Sequence, residues 1–271
     1  MKTKDYLVTN EIFELLYDDE LDMLVTQPQP KNLEPYYQSS AYISHSDSHT
    51  TIIDKIYQIV KKYSLSSKLR FIHKFQPQNK QLLDIGAGTG SFLYHCKSKD
   101  WDTLGVEPNS HARNLARSKG LYMVTDLSEI KDKKFDVITL WHVLEHLPNL
   151  EVQIKLLTSL LAKNGILVIA VPNFKSFDAN FYKSYWAAYD TPRHLWHFSK
   201  KSISLLFQKE KMEIIKTKGM YFDSFYVSLL SEKNKAGKSH FIKSFFIGFL
   251  SNLKAIFTKE HSSIIYVLKR R

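Results

Sequence analysis

The chain has 271 residues and a formal net charge of +11, with 44% hydrophobic and 13% aromatic side chains. This composition is typical of a globular protein and excludes an intrinsically disordered chain. The single cysteine, Cys96, excludes an internal disulfide and any metal site built from several cysteines. No uncharged apolar run approaches the roughly 18 residues of a membrane span, and the N-terminus lacks a secretory signal pattern. We therefore expect a cytoplasmic protein.

The first part of the chain, residues 1–50, is acidic and then rich in Pro, Gln, Tyr and Ser. This pattern predicts a helical or irregular N-terminal appendage. Its aromatic side chains, Tyr36, Tyr37 and Tyr42, together with His45, either close a pocket or form a surface strap. We favour the strap for any single tyrosine.

Short apolar runs alternate with amphipathic stretches from residue 80 onwards. The predicted strands are 81–85, 103–107, 121–125, 135–141, 165–171, 212–217 and 263–269, and the predicted helices are 52–75, 90–99, 109–119, 149–162 and 199–210. This alternation predicts a Rossmann-like, doubly wound α/β domain over residues 51–271. A lid insertion at about 174–198 and a helical excursion at about 218–260 interrupt it.

A glycine-rich loop, Gly86-Ala87-Gly88-Thr89-Gly90, follows the first strand of this domain and carries its most specific signal. Glycines at this place let the backbone turn tightly and approach a ligand. The loop lacks the lysine of a Walker P-loop, and Ser91 stands where a dinucleotide fingerprint has its third glycine. No basic residue lies in the loop to meet a phosphate, so it indicates a cofactor without phosphates.

Carboxylates end the next two predicted strands. Glu107 closes the second strand, where a carboxylate can accept both hydroxyls of a ribose. Asp126 ends the third strand, where it can accept from an adenine amino group, and the backbone of Leu127 can contact the ring nitrogens. Together with the loop, these residues predict a nucleoside cofactor.

Four segments, DIGAGTG, GVEPN, FDVITLWHVLEHL and LLAKNGILVIAVPN, together resemble class I S-adenosylmethionine-dependent methyltransferases. The resemblance covers roughly residues 75–271 and is strongest to the branch that includes ubiquinone-pathway O-methyltransferases. It implies a seven-stranded sheet whose last strand, 263–269, is antiparallel and lies between the fifth and sixth strands. It also implies S-adenosylmethionine as cofactor and S-adenosylhomocysteine as product.

The resemblance assigns the cofactor-binding residues. In the order of the chain they are Asp84, Gly86, Ala87, Gly88, Gly90, Glu107, Pro108, Asp126, Leu127 and Trp141. The glycines are implied to line the methionine and ribose part, and Asp84 to hold the amino end. Glu107 takes the ribose hydroxyls, Asp126 and Leu127 take the adenine, and Trp141 flanks the pocket floor.

Two histidine clusters are candidates for the base that a hydroxyl acceptor needs. The first, 142–146, matches the HxxEH pattern of some zinc peptidases, but a strand-to-helix turn is the wrong context for that site. In the resembled branch this segment faces cofactor and acceptor, so His146 is either a base or a structural residue of the turn. His142 replaces an acid with which some relatives hold a divalent cation, and we expect no metal here.

The second cluster, 189–198, follows a connection rich in aromatic residues that we expect over the acceptor side. His194 is a candidate base, whereas His197 is expected to be structural. Arg193 pairs either an acidic substrate group or Asp190, and Tyr189 is a candidate substrate contact. The alternative is a packed lid in which these side chains make structural hydrogen bonds.

The amphipathic stretch 241–257 is expected to cover a face of the sheet, and a membrane surface or a homodimer contact stays open. We expect a methyltransferase acting on a small-molecule, lipid-linked or glycan acceptor, at oxygen by resemblance. The alternatives are a non-catalytic cofactor-binding protein of the same fold and an RNA or protein methyltransferase. Nucleic acid is not an expected partner, and Ser91 disfavours an NAD oxidoreductase.

Overall fold

The computed structural model describes residues 1–37, 52–75, 77–131 and 133–271. The strands are β1 Lys2–Lys4, β2 Ile12–Asp18, β3 Met23–Gln27, β4 Gln81–Ile85, β5 Asp102–Val106, β6 Tyr122–Val124, β7 Phe135–Trp141, β8 Leu161–Pro172, β9 Trp196–His197, β10 Met212–Gly219 and β11 Ser263–Arg270. The α-helices are α1 Ile52–His73, α2 Ser91–Lys97, α3 Ser110–Ser118, α4 Leu150–Ser159, α5 Phe177–Tyr182, α6 Lys200–Gln208, α7 Asp223–Ala236 and α8 Phe241–Thr258. Tyr42 and His45 lie outside the described residues.

The larger sheet has seven strands in the order β10-β11-β8-β7-β4-β5-β6. It is mostly parallel, and its last strand in the chain, β11, is antiparallel and lies between β8 and β10. This confirms the predicted fold class and the predicted insertion of the last strand. The apolar run in β8 is buried from Gly165 to Val171, as expected of a strand covered on both faces.

The chain forms two compact units, and one comprises the described residues of 45–141, 154–168 and 268–271. Here β4 pairs in parallel with β5 and with β7, so that Ile85 stands beside both Val106 and Leu140. Because these strands end at the same edge, the residues that follow them emerge side by side. Those residues are the glycine loop, Glu107 and Trp141.

The other unit comprises the described residues of 1–44, 142–153 and 169–267. Its N-terminal segment forms three strands of a four-stranded antiparallel sheet, in the order β1-β2-β3-β9. The expected helical or irregular appendage is therefore corrected for residues 2–27. The cause is the alternation in β2, where Phe13 and Leu15 are buried and their neighbours are exposed. The predicted boundary at residue 50 stays a prediction.

Helix α8 differs from the expectation that it covers a sheet face, because its large apolar side chains are exposed. Its buried residues are Ser244, Ile247, Gly248, Ser251 and Ala255, so small side chains form most of the packed surface. The sequence pattern was misleading, because the large hydrophobic residues suggested a buried face different from the one that packs. By length and composition, α8 is long and apolar enough to cross a membrane, and 28% of it is buried.

Candidate active site

The glycine loop turns sharply between β4 and α2. Gly86, Gly88 and Gly90 have φ angles of 65°, 54° and 74°, which L side chains rarely adopt. A Cβ on Gly90 would also collide with the side chains of Leu121 and Ala116, whereas a Cβ on Gly88 would meet nothing within 4 Å. Gly90 is therefore required by packing and by backbone conformation, and Gly88 leaves open space beside the loop.

Glu107 links this loop to the start of helix α3. Its side chain is 8% exposed. One carboxylate oxygen accepts a hydrogen bond from the backbone N–H of Gly88 at 2.8 Å. The other accepts from the N–H of Asn109 at 2.9 Å. A carboxylate offers about four acceptor positions, so Glu107 keeps acceptor capacity for a ligand.

The other predicted cofactor residues in this unit lie on short connections. Asp126 is exposed and caps a 3₁₀ turn, accepting from the N–H of Ser128 at 2.8 Å, and this bond lowers the pKa of its carboxyl. Leu127 is buried within that turn. The N–H of Ala87 bonds the carbonyl of Val106 at 3.0 Å, so this amide holds the loop to β5. The carbonyl of Pro108 accepts from Arg113 at 2.9 Å.

Asp84 is the next-to-last residue of β4, and Trp141 is the last residue of β7. Burial raises the pKa of the Asp84 carboxyl to about 7, against the opposing hydrogen bond from Thr139 and the charge of Lys68. The hydroxyl of Thr139 donates to Asp84 at 2.5 Å. The indole N–H of Trp141 is buried without a hydrogen-bond partner among the described residues, and its ring lies edge-on to Phe92 at 5.6 Å.

His146 and His194 lie together in the other unit. Their rings meet edge to face with centroids 4.5 Å apart. The Nδ1 atom of His194 lies 2.8 Å from the carbonyl of Ala188, which can only accept, so Nδ1 carries a proton and Nε2 presents a lone pair in the neutral ring. The Nδ1 atom of His146 lies 3.0 Å from the carbonyl of Arg193 and 3.1 Å from the hydroxyl of Tyr37.

The environment keeps His146 neutral near pH 7, because burial and the neighbouring His194 lower its pKa to about 4. Glu145, 1% exposed, completes a group of three with these histidines. One ligand atom from each of the three lies within 4.8 Å of the others, a spacing compatible with one metal ion. The expectation that no metal is used stays a prediction.

His142 is held by two carboxylates and takes a different charge state. Its Nε2 lies 3.1 Å from Asp223 and its Nδ1 lies 3.4 Å from Glu145. Burial opposes the charged ring, but the hydrogen bonds to the two carboxylates outweigh it and raise the pKa of His142 to about 10. His142 is therefore a cation at neutral pH.

Arg193 is fully buried, and protein acceptors occupy each of its three guanidinium nitrogens. Asp190 accepts from Nε and Nη2, Asp5 accepts from Nη2 at 2.8 Å, and the carbonyl of Tyr36 accepts from Nη1 at 2.9 Å. The predicted pairing with Asp190 is confirmed. The other predicted partner, an acidic substrate group, is not supported, because the donors are engaged within the protein.

Tyr189 and His197 also belong to packed structure. Tyr189 is buried in an apolar cluster beside Trp186, with ring centroids 5.0 Å apart, and this burial raises the pKa of its hydroxyl. Its predicted role as a substrate contact stays a prediction, and its ring packs within the core. His197 bonds Thr26 at 2.9 Å, and burial lowers its pKa, in line with the structural role expected of it.

The family model described as "Methyltransferase domain" matches residues 55–216 of this sequence. The chain belongs to this methyltransferase family. The predicted resemblance to class I S-adenosylmethionine-dependent methyltransferases is thereby confirmed at the level of the family.

Individual relatives agree with this methyltransferase assignment. An uncharacterized methyltransferase of Alkaliphilus oremlandii is 35% identical over 101 residues, which span 35% of this chain and 46% of that protein. The chain therefore matches about half the length of this curated relative. Magnesium protoporphyrin IX methyltransferase from Synechocystis PCC 6803 with bound SAH has a TM-score of 0.57 at 14% identity, over 87% of this chain and 97% of that one.

A methyltransferase structure from Archaeoglobus fulgidus has a TM-score of 0.51 at 18% identity, over 77% of this chain and 94% of that one. At these identities the two solved structures establish the fold alone. They support the seven-stranded arrangement that the methyltransferase family implies.

One residue beside the predicted cofactor positions of this methyltransferase was missed by sequence reasoning. The ammonium of Lys68 lies 4.1 Å from the ring centre of Trp141, and its charge acts on Asp84. Lys68 belongs to helix α1, which precedes the glycine loop and carries no motif. Only the fold brings it beside these residues.

Proposed function

We propose that this chain transfers the methyl group of S-adenosylmethionine to a hydroxyl oxygen of a small-molecule, lipid-linked or glycan acceptor. The observation that carries the proposal is the carboxylate of Glu107, which bonds the N–H groups of Gly88 and Asn109 at 2.8 and 2.9 Å. This carboxylate holds the glycine loop, whose glycines have positive φ and which contains no basic residue. This arrangement suits a ribose and disfavours a phosphate.

The residues present fit the proposed cofactor. The buried indole N–H of Trp141 lacks a partner in the described part of the chain, and the space beside Gly88 is open. Glu107 and Pro108 would hold the ribose, Asp126 and Leu127 the adenine, and the loop with Asp84 the methionine part. When bound, the cofactor supplies an already activated sulfonium methyl group, so the protein mainly aligns and deprotonates the acceptor.

We assign proton removal from the acceptor to His146 and His194. Both rings are held at Nδ1 by backbone carbonyls, which leaves an Nε2 lone pair on each neutral ring. The lowered pKa of His146, about 4, keeps that residue unprotonated at neutral pH. Oxygen methylation needs such a base more than methylation of a neutral amine does.

Two alternative functions remain to be distinguished from this proposal, and the cellular location is part of it. A non-catalytic cofactor-binding protein would bind S-adenosylhomocysteine and never turn over. An RNA or protein methyltransferase would require a macromolecular acceptor, and no added RNA-binding motif occurs in the sequence. We propose a cytoplasmic location, which fractionation of the native cells tests.

Calorimetric titration with S-adenosylhomocysteine tests the cofactor assignment, with NAD as the control ligand. The wild-type chain should bind S-adenosylhomocysteine, and Glu107→Ala should lose that binding. Glu151→Ala, which removes an exposed acid paired with Lys209 at 2.6 Å on helix α4, should bind like the wild type. Absence of wild-type binding, or a preference for NAD, would contradict the assignment.

A further inference from the structure

Helix α8 presents an unusually large apolar surface to solvent. Exposed positions run along its whole length, from Phe241 at 73% to Phe257 at 82%. The exposed large side chains are Phe241, Ile242, Phe245, Phe246, Phe249, Leu250, Leu253, Ile256 and Phe257. A surface helix of a globular protein normally exposes polar residues and buries such side chains.

The exposed face lies opposite the face that packs on the protein. At 3.6 residues per turn, the exposed apolar positions span about half of the helix circumference, centred on the side away from Ser244, Ser251 and Ala255. The packed side of α8 lies close to helix α7, because a Cβ on Gly248 would stand 2.9 Å from the Cα of Phe225. The hydroxyl of Ser224 also bonds the carbonyl of Gly248 at 3.1 Å. These contacts hold the large side chains outward.

The charged side chains within and next to this helix, from residue 233 to residue 259, are all lysines. Residues 233–259 contain no Asp or Glu, and their charged side chains are Lys233, Lys235, Lys238, Lys243, Lys254 and Lys259, all exposed. An open groove of about 860 Å³ passes the first turn of α8 and is lined in part by Glu232, Lys235, His240 and Lys243. Lys243 pairs with the buried Glu232 at 2.8 Å, and Lys254 lies over the ring of Phe177 at 3.9 Å.

We propose that helix α8 docks this protein onto the surface of an anionic lipid bilayer. The exposed phenylalanine and leucine side chains enter the boundary between headgroups and acyl chains, and the surrounding lysines meet the lipid phosphates. The helix lies along the membrane, because its small-residue face is fastened to α7 and is not available to lipid. This proposal does not depend on the methyltransferase activity.

Charge complementarity favours the bilayer over a second copy of the chain. Pairing two copies face to face would bring two lysine-rich stretches together with no acid between residues 233 and 259 to neutralise them. An anionic membrane supplies the opposite charge over the whole face. A neutral membrane would satisfy the apolar side chains but would supply no negative charge to the exposed lysines.

The test is flotation of the full chain with vesicles of equal parts phosphatidylcholine and phosphatidylglycerol. The triple variant Phe246→Ser, Phe249→Ser, Phe257→Ser should reduce vesicle binding at least about tenfold, because apolar burial supplies much of the affinity. The matched control Ile12→Ser, Tyr122→Ser, Val152→Ser removes side chains that are 68%, 73% and 64% exposed on other elements. It should bind vesicles like the wild type, and circular dichroism should show both variants folded.

Two further measurements decide between occupants of the face. Raising the salt concentration should weaken vesicle binding, because the lysine contribution is screened. Equal binding to phosphatidylcholine alone would overturn the role given to the lysines. Failure of the wild type to float, with light scattering showing a dimer that the triple variant dissociates, would overturn the membrane proposal in favour of a second copy.

Discussion

Asp84 is a buried carboxylate whose ionisation should control cofactor affinity. Burial raises its pKa to about 7, so a modest fall in pH neutralises it. Because the proposal pairs Asp84 with the amino end of the cofactor, affinity for S-adenosylhomocysteine should fall as the pH drops through 7. Asp84→Asn should bind more weakly at pH 8 and lose this pH dependence. Titration calorimetry from pH 6 to 8 measures both effects.

The same residue should limit stability. The unfolded carboxyl ionises near 3.8 and the folded one near 7, so above 3.8 the unfolded state releases a proton that the folded state retains. Asp84 therefore reduces stability as the pH rises to 7. Asp84→Asn should be at least as stable as the wild type at pH 8. A variant less stable at pH 8, with pH-dependent affinity unchanged, would contradict the role given to Asp84.

His146 and His194 should affect turnover more than cofactor binding. With an acceptor that supports turnover, His146→Ala and His194→Ala should each lower kcat roughly 100-fold, the usual contribution of a general base. Binding of S-adenosylhomocysteine should stay unchanged. The control His111→Ala removes an exposed histidine of helix α3 and should keep full activity. Turnover that survives both changes would remove the two histidines from the mechanism.

The same cluster could instead act through a metal ion, since Glu145, His146 and His194 bring ligand atoms within 4.8 Å. A base mechanism requires that a chelator leave kcat unchanged. Loss of activity in the chelator, restored by a divalent cation, would transfer the role of the cluster to metal binding. Running the histidine variants with and without chelator separates the two mechanisms.

At the scale of elements, the loop between β4 and α2 depends on Gly90 more than on Gly88. Both have positive φ, so either alanine substitution costs about 1 kcal/mol in backbone strain. Gly90→Ala also drives a methyl group into Leu121 and Ala116, and overpacking of this kind adds about 1–3 kcal/mol. Urea unfolding should show the larger loss for Gly90→Ala. Equal losses in the two variants would contradict the packing argument.

Strands of the central sheet were predictable because their sequences satisfy local rules. The predicted bounds of β4 and β7, 81–85 and 135–141, coincide with the observed ones, since both are short apolar runs between breakers. The N-terminal strands were not predicted, because the segment is acidic overall and the sequence does not show which of its apolar side chains are buried. Their stability comes from pairing with each other and with β9.

The site was predictable to a similar extent and for similar reasons. Glu107 and the glycines follow strand ends, so the sequence order places them at one edge of the sheet. Lys68 and the partners of Arg193 could not be predicted, because such contacts join distant parts of the chain. Asp5 and Arg193, bonded at 2.8 Å, are 188 residues apart. The surface character of α8 was missed because exposure depends on which face packs.

At the scale of the whole molecule, His146 and His142 should give stability opposite pH dependences on the two sides of pH 6.5. The pKa of His146 is about 4 in the folded chain and near 6.5 when unfolded. Between these values the unfolded state binds more protons, so stability falls as the pH decreases from 6.5 to 4. His197, whose pKa is also lowered, acts in the same direction.

His142 has the opposite effect and makes stability fall as the pH rises above 6.5. Its folded pKa is about 10 against 6.5 unfolded, because Asp223 and Glu145 stabilise its charge against burial. The contribution of His142 to folding stability is fully present below pH 6.5 and is lost as the pH rises towards 10. His142→Gln should therefore flatten the decline in unfolding free energy between pH 6.5 and 8.5, and His111→Gln should retain it. The variant also leaves the carboxylates of Asp223 and Glu145 without their cation, so its stability at pH 6.5 should be lower. An alkaline limb identical in wild type and His142→Gln would show that the ion pairs of His142 contribute nothing to stability.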